Sequence, residues 1–161
     1  MERLEVVKQI FEDVEENDIV ITSAGYISRE VYHYKDRPLN FYVMGSMGSA
    51  LGIGIGVALK KDTNVYVIQG DGAFIMSLNT VVTEKQLELP NLFNCVLING
   101  VHESTGGQEL ADNRFIDSIF YSETKAYYMN RDFSVPPRVP LRPTEIMLRF
   151  KSALKSIDDK K

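Results

Sequence analysis

NVYVIQGDGAFIMSLNTVVTEKQLELPNLFNCVLIN, residues 64–99, is the stretch whose reading decides the fold. Val65, Tyr66, Val67 and Ile68 form a short apolar run, rich in β-branched residues, of the kind that suits a strand buried on both faces. The run stops at Gly70-Asp71-Gly72, where two glycines allow a tight turn and close backbone approach. A helical pattern opens at Ala73 and continues to about Leu87, and Pro90 closes it. A second apolar run over residues 93–98 ends in Asn99. Asp71 and Asn99 thus close two successive strands, 28 positions apart. In a parallel sheet these carboxyl ends share the edge where open α/β folds bind ligands.

A carboxylate and a carboxamide oxygen are hard ligands that suit Mg2+, which completes its octahedral shell with water and substrate phosphates. The helix expected from Ala73 would point its free N–H groups and positive end at the same place, favouring a phosphate there. Metal plus diphosphate is the inference. Gly-Asp-Gly alone is a common turn; the Asn at the end of the next strand is what adds specificity.

Gly-Asp-Gly followed by Asn99 resembles the signature of thiamine-diphosphate enzymes. Ile98 stands where many members carry a second Asn, but the family's metal ligand is the last Asn. Gly45-Ser46-Met47-Gly48 and the run from Asn99 through Gly100, Val101, His102, Glu103, Ser104, Thr105, Gly106 and Gly107 to Gln108 resemble segments of the phosphonopyruvate and sulfopyruvate decarboxylases. The likeness implies a metal held by Asp71, Asn99 and the Val101 carbonyl, with Gly70, Gly72 and Ala73 beside the cofactor diphosphate. It implies that Met47 wedges under the cofactor while the Gly45 carbonyl and the Met47 N–H bond its aminopyrimidine edge, with Ser46 of the same loop also a cofactor contact; a core methionine is the other reading of Met47. His102 would face the thiazolium ring as a proton donor or acceptor, although a lone loop histidine is more often only solvated. The turn at Ser23-Ala24-Gly25 sits where family members contact the diphosphate, which makes Ser23, Gly25 and Ser28 candidates; a plain strand-to-helix turn capped by Ser28 is equally open.

The 161 residues suit one domain, 1–161, of the diphosphate-binding type. A net charge of −4 without a basic block argues against a nucleic-acid surface. Cys95 lies within an expected core strand and reads as a small apolar residue. The acidic N-terminus lacks a signal peptide's apolar core, so a cytoplasmic location is expected. Residues 41–59 carry no charge, which alone would fit a membrane span. Their glycines and serines, and the soluble pattern that follows, favour a short strand to Met44, a loop at Gly45-Ser46 and a small-residue helix from Met47, so no membrane partner is expected. Gly48, Gly52 and Gly56 would form a face that packs closely on the sheet or on another subunit.

Leu4, Val7, Ile10, Phe11 and Val14 mark an amphipathic first helix, read as core packing. A strand over residues 18–22 follows, then a helix from near Ser28. Beyond Gln108, Phe115, Ile116, Ile119 and Phe120 suggest a short helix, and residues 125–133 a last strand. Four prolines punctuate an extended arm, and a last amphipathic helix begins at Thr144 or Glu145. The alternation predicts a three-layer α/β/α fold with a mainly parallel sheet of about five strands.

The resemblance implies thiamine diphosphate and Mg2+ as cofactors and a small 2-oxo acid as substrate. It also implies a separate pyrimidine-binding α-type subunit, because the family's activating glutamate lies on a domain for which these residues leave no room. Two other readings stand beside a decarboxylase: a component of a 2-oxo acid dehydrogenase or synthase, and a non-catalytic subunit keeping the fold. Ala73, where Ser is common, suggests the latter.

Overall fold

A computed structural model describes residues 1–110, Ser118 and residues 124–158. Its centre is a five-stranded, wholly parallel sheet in the order β2-β1-β3-β4-β7, formed by β1 (Ile19–Thr22), β2 (Asn40–Tyr42), β3 (Val65–Gly70), β4 (Leu92–Ile98) and β7 (Thr124–Tyr128). Two short strands, β5 (Val101–His102) and β6 (Gln108–Glu109), form a separate antiparallel hairpin.

The apolar strand runs are continuous because both faces are covered, and the two-residue period of a strand divides them between two cores. Ile19, Ile21, Val65, Val67, Val96 and Ile98 pack on one face against α3 (Ala50–Ala58), α5 (Leu78–Leu87) and Phe74. Val20, Tyr66, Ile68, Cys95 and Leu97 pack on the other against α1 (Arg3–Glu12) and α2 (Tyr26–Lys35). The last helix, α6 (Pro143–Leu154), lies beside the β2 edge and sends Ile146 into the second core and Phe150 into the first. This is the expected three-layer architecture. Cys95 is buried, and its thiol is pushed up to about 12 by burial.

Several local expectations change. The helix after β3 does not run unbroken from Ala73: it starts at Asp71, as α4 (Asp71–Met76), and α5 follows after an interruption at Ser77. Ser77 Oγ donates to the Phe74 carbonyl at 2.9 Å, a local bond of the type with which serine competes against helical continuity. Gly70 and Gly72 therefore make no left-handed turn; Gly72 lies in the first turn of α4. Helix α2 begins at Tyr26 with Gly25 before it. Ser28 lies inside that helix, where its hydroxyl bonds the Ser23 carbonyl at 2.6 Å and pairs with Thr22 Oγ1 at 2.7 Å instead of capping.

The strand expected to Met44 ends at Tyr42, and Met47 opens a single 3-10 turn before α3. The last strand covers Thr124–Tyr128 only, and α6 starts at Pro143. The suggested helix at Phe115, Ile116, Ile119 and Phe120 lies outside the described residues. The glycine face also differs. Gly52 and Gly56 are exposed and Gly48 faces the Met76 backbone, whereas Gly54 is the glycine pressed on the sheet. Among the described residues no helix is long and apolar enough to cross a membrane.

Candidate functional site

From β1 the chain runs on to β2 on one side, and from β3 to β4 on the other, so the crevice beyond the β1 and β3 carboxyl ends is a topological switch point. A cleft opens there. Its walls are Ser23, Ala24, Tyr26 and Ile27 after β1, Gly70 at the end of β3 with Asp71, Gly72 and Ala73 after it, and Asn99, Val101, His102, Glu103 and Ser104 after β4. Asn99 takes part in this wall with Val101 and His102, and Met47 approaches from the turn before α3.

Gly70 pairs with Leu97 in the parallel ladder, which brings the residues just past β3 beside those just past β4. Asp71 is 2% exposed and accepts three backbone hydrogen bonds: Oδ2 from Asn99 N at 3.0 Å and Gly100 N at 2.7 Å, and Oδ1 from Gly72 N at 2.8 Å. Burial pushes its carboxyl above the usual range, while these N–H donors and the charge of His102 oppose the shift. Both carboxylate oxygens thus accept from backbone donors, two on Oδ2 and one on Oδ1. Asn99 Oδ1 accepts from Val101 N at 3.1 Å, which ties the Val101 backbone to the Asn99 side chain.

Gly72 is required for a steric reason. A Cβ there would lie 2.5 Å from His102 Nδ1, so the imidazole rests directly on the Gly72 backbone. Gly25 has φ 103° and a Cβ there would lie 2.8 Å from Ser104 Oγ; both its conformation and its contact exclude a side chain. Gly45 (φ 75°) and Ser46 (φ 32°) are exposed on the loop ahead of Met47 and do not line the cleft.

Arg3 is a cleft residue that sequence reading missed. It is 1% exposed and lies in the cleft wall beneath Glu103. A signal for it exists, since positions 3, 7, 10 and 14 recur at helical spacing and place an arginine in the apolar stripe of α1. Tyr26, Ile27, Leu97 and Met129 complete the lining and carry no motif signal.

Asp71, Asn99 and the Val101 carbonyl offer oxygen ligands, and among the described residues no group of three His, Cys, Asp or Glu side chains forms a softer metal site. This donor set fits Mg2+, and the His102 ring, packed on the Gly72 backbone, lies beside it.

The family described as thiamine pyrophosphate enzyme, C-terminal TPP binding domain, matches residues 23–148. The chain belongs to that family. A sulfopyruvate decarboxylase subunit beta from Methanocaldococcus jannaschii is 39% identical over 107 residues, covering 66% of this chain and 57% of the relative. A phosphonopyruvate decarboxylase from Streptomyces viridochromogenes is 40% identical over 106 residues, 66% of this chain and 27% of the relative. A sulfopyruvate decarboxylase from Methanosarcina acetivorans is 38% identical over 169 aligned positions, 86% of this chain and 44% of the relative. The chain spans between 27% and 57% of the length of these relatives. Within the TPP-binding domain match fall all the cleft residues named above except Arg3.

Proposed function

We propose that this TPP-binding domain, taken as one unit over residues 1–161, is the diphosphate-binding subunit of a split thiamine-diphosphate-dependent decarboxylase. Its substrate would be a small 2-oxo acid of the phosphonopyruvate or sulfopyruvate type, giving an aldehyde and CO2. The observation that carries the reading is the bonding of the Asp71 carboxylate to the backbone of Asn99 and Gly100, which joins two hard-ligand positions at one corner of the cleft. Relatives named as decarboxylases, some as a beta subunit, support the reaction class and a separate pyrimidine-binding α-type partner.

In this proposal Asp71, the Asn99 side-chain oxygen and the Val101 carbonyl hold Mg2+, and the backbone of Gly70, Gly72 and Ala73 meets the diphosphate beside Ser23 and Gly25. Thiamine diphosphate, when bound, supplies the electron sink for loss of CO2 from a 2-oxo acid. The protein's part is position and exclusion of water. Met47, which lines the cleft from the turn before α3, would prop the cofactor, with the Gly45-Ser46 loop ahead of it, and His102, which also lines the cleft, would donate or accept a proton there.

Mixing the chain with its pyrimidine-binding partner, Mg2+ and thiamine diphosphate should release CO2 from sulfopyruvate or phosphonopyruvate, whereas either chain alone should not. Turnover by this chain alone would sink the split-site reading, and a complete complex that binds cofactor yet turns over neither acid would sink the decarboxylase reading. Met47→Ala should slow deuterium exchange at the cofactor's thiazolium carbon by about tenfold while binding changes by less than about threefold, as loss of a positioning contact requires. Equal exchange rates in mutant and wild type would return Met47 to a packing role.

A further inference from the structure

The guanidinium of Arg3 collects three distant chain segments. Nε donates to Glu30 of α2 at 3.1 Å, Nη1 to Glu103 at 2.6 Å, and Nη2 to the carbonyl and hydroxyl of Ser134 at 3.0 and 3.2 Å, with Asp132 Oδ2 at 3.4 Å. Its planar face lies over the Tyr26 ring, 5.1 Å from the centroid, and Arg29 reaches the same ring at 5.2 Å. One buried cation therefore faces three carboxylates. Such a charge tolerates burial only with its partners in place, and the carboxylates converge only because the cation is there.

Glu103 is the member that matters for the cleft. It is next to His102 and two residues from Val101, and its other oxygen accepts Asp132 N at 2.9 Å. On the cleft side the same loop is held by Asp71, through the N–H groups of Asn99 and Gly100. On the far side Glu103 ties the loop to Arg3 and to the Asp132 backbone, and Glu109 pairs at the surface with Arg131. Arg3 lies outside the residues matched by the family, while its partners Glu30, Glu103 and Asp132 lie within them.

We propose that Arg3 is a positioning residue: acting through Glu103, it fixes the loop that presents the Val101 carbonyl and the His102 ring to the cleft. The link to cofactor rests on the functional reading above; the link to the loop does not.

Hydrogen exchange of the unliganded chain tests the loop directly. In Arg3→Met and in Glu103→Gln, amides over residues 99–110 should exchange about tenfold faster, while those of β1 and β3 keep their rates. The double variant should exchange no faster than the faster single one, because both break a single connection. Asp36→Asn, which breaks the remote Arg149–Asp36 pair, should leave the loop unchanged. Should Arg3→Met fail to fold, Glu103→Gln reads the same tie with Arg3 still paired to Glu30 and Asp132. Unchanged loop exchange, acceleration spread equally over β1 and β3, or effects that multiply in the double variant each overturn the proposal. A second arm measures Mg2+-thiamine diphosphate binding to the complex with its partner, expected to weaken about fivefold in both single variants. A freed loop with unaltered binding overturns the positioning role. If the wild-type complex binds no cofactor, the functional reading falls, and the exchange arm still decides whether Arg3 fixes the loop.

Discussion

Asp71→Ala is expected to weaken Mg2+-thiamine diphosphate binding by about 100-fold or more, at the upper end of what loss of groups around a metal costs. Two losses combine. The change removes a charged ligand from the donor set that Asn99 and the Val101 carbonyl complete, and a neutral remnant attracts the metal far less. It also strands the N–H groups of Asn99 and Gly100, which Asp71 Oδ2 now satisfies at 3.0 and 2.7 Å. Leaving a buried donor unpaired costs about 1–3 kcal/mol, so the loop that offers the other two ligands loosens as well. Asp71→Asn should not rescue, because its amide NH2 would point at either Gly72 N or the Asn99 and Gly100 donors where a carboxylate accepts from all three. Calorimetry on the complex with its partner, with thermal melting to verify folding, measures the effect. A dissociation constant within about threefold of wild type would remove Asp71 from the metal site.

The second large effect concerns stability. Gly54→Ala should destabilise the isolated chain by about 1–3 kcal/mol, the usual cost of overpacking. A Cβ at Gly54 would come within 2.3 Å of Val67 Cγ2 and 3.4 Å of Leu92 Cδ1, so α3 must lift from β3 or Val67 must leave its rotamer. Gly56→Ala, two residues on, meets nothing within 4 Å and replaces a helix-interior glycine, so it should gain about 0.5–1 kcal/mol. Opposite signs in two neighbouring substitutions separate sheet packing from helix propensity. Denaturant melts of both variants settle it: a neutral Gly54→Ala would mean that α3 sits farther from the sheet than the structure places it.

These two glycines also show what the sequence discloses. The four-residue spacing of Gly48, Gly52 and Gly56 marks a smooth helical face, but spacing alone does not say which face meets the sheet. Leu51, Ile55 and Ala58, all buried, define the inward stripe, and Gly54 lies on it. The central strands were legible because burial on both faces demands continuous apolar runs, and a Gly-Asp-Gly between two such runs, with Asn closing the second, points to one sheet edge whatever the local turn geometry. That geometry was less legible: α4 starts at Asp71 without a side-chain cap, and its break at Ser77 goes with the hydrogen bond of a single side chain, which no periodicity records. The β5-β6 hairpin is two residues per strand within a Gly- and Ser-containing loop, too short for any alternation to register. Arg3 belongs to a third kind. Its position in an apolar stripe is visible in the sequence, but its partners Glu30, Glu103 and Asp132 come from three distant segments that only the fold brings together.

The central claim is that a divalent metal and the cofactor diphosphate meet between the ends of β3 and β4. Paramagnetic broadening tests it most directly, with Mn2+ in place of Mg2+ and the labelled chain bound to its unlabelled partner. When thiamine diphosphate is added, the amide signals of Gly72, Asn99, Gly100 and Val101 should broaden first, ahead of those in α6 and the β2 edge. Broadening centred on any other part of the chain, or none when cofactor and metal are both present, would contradict the account.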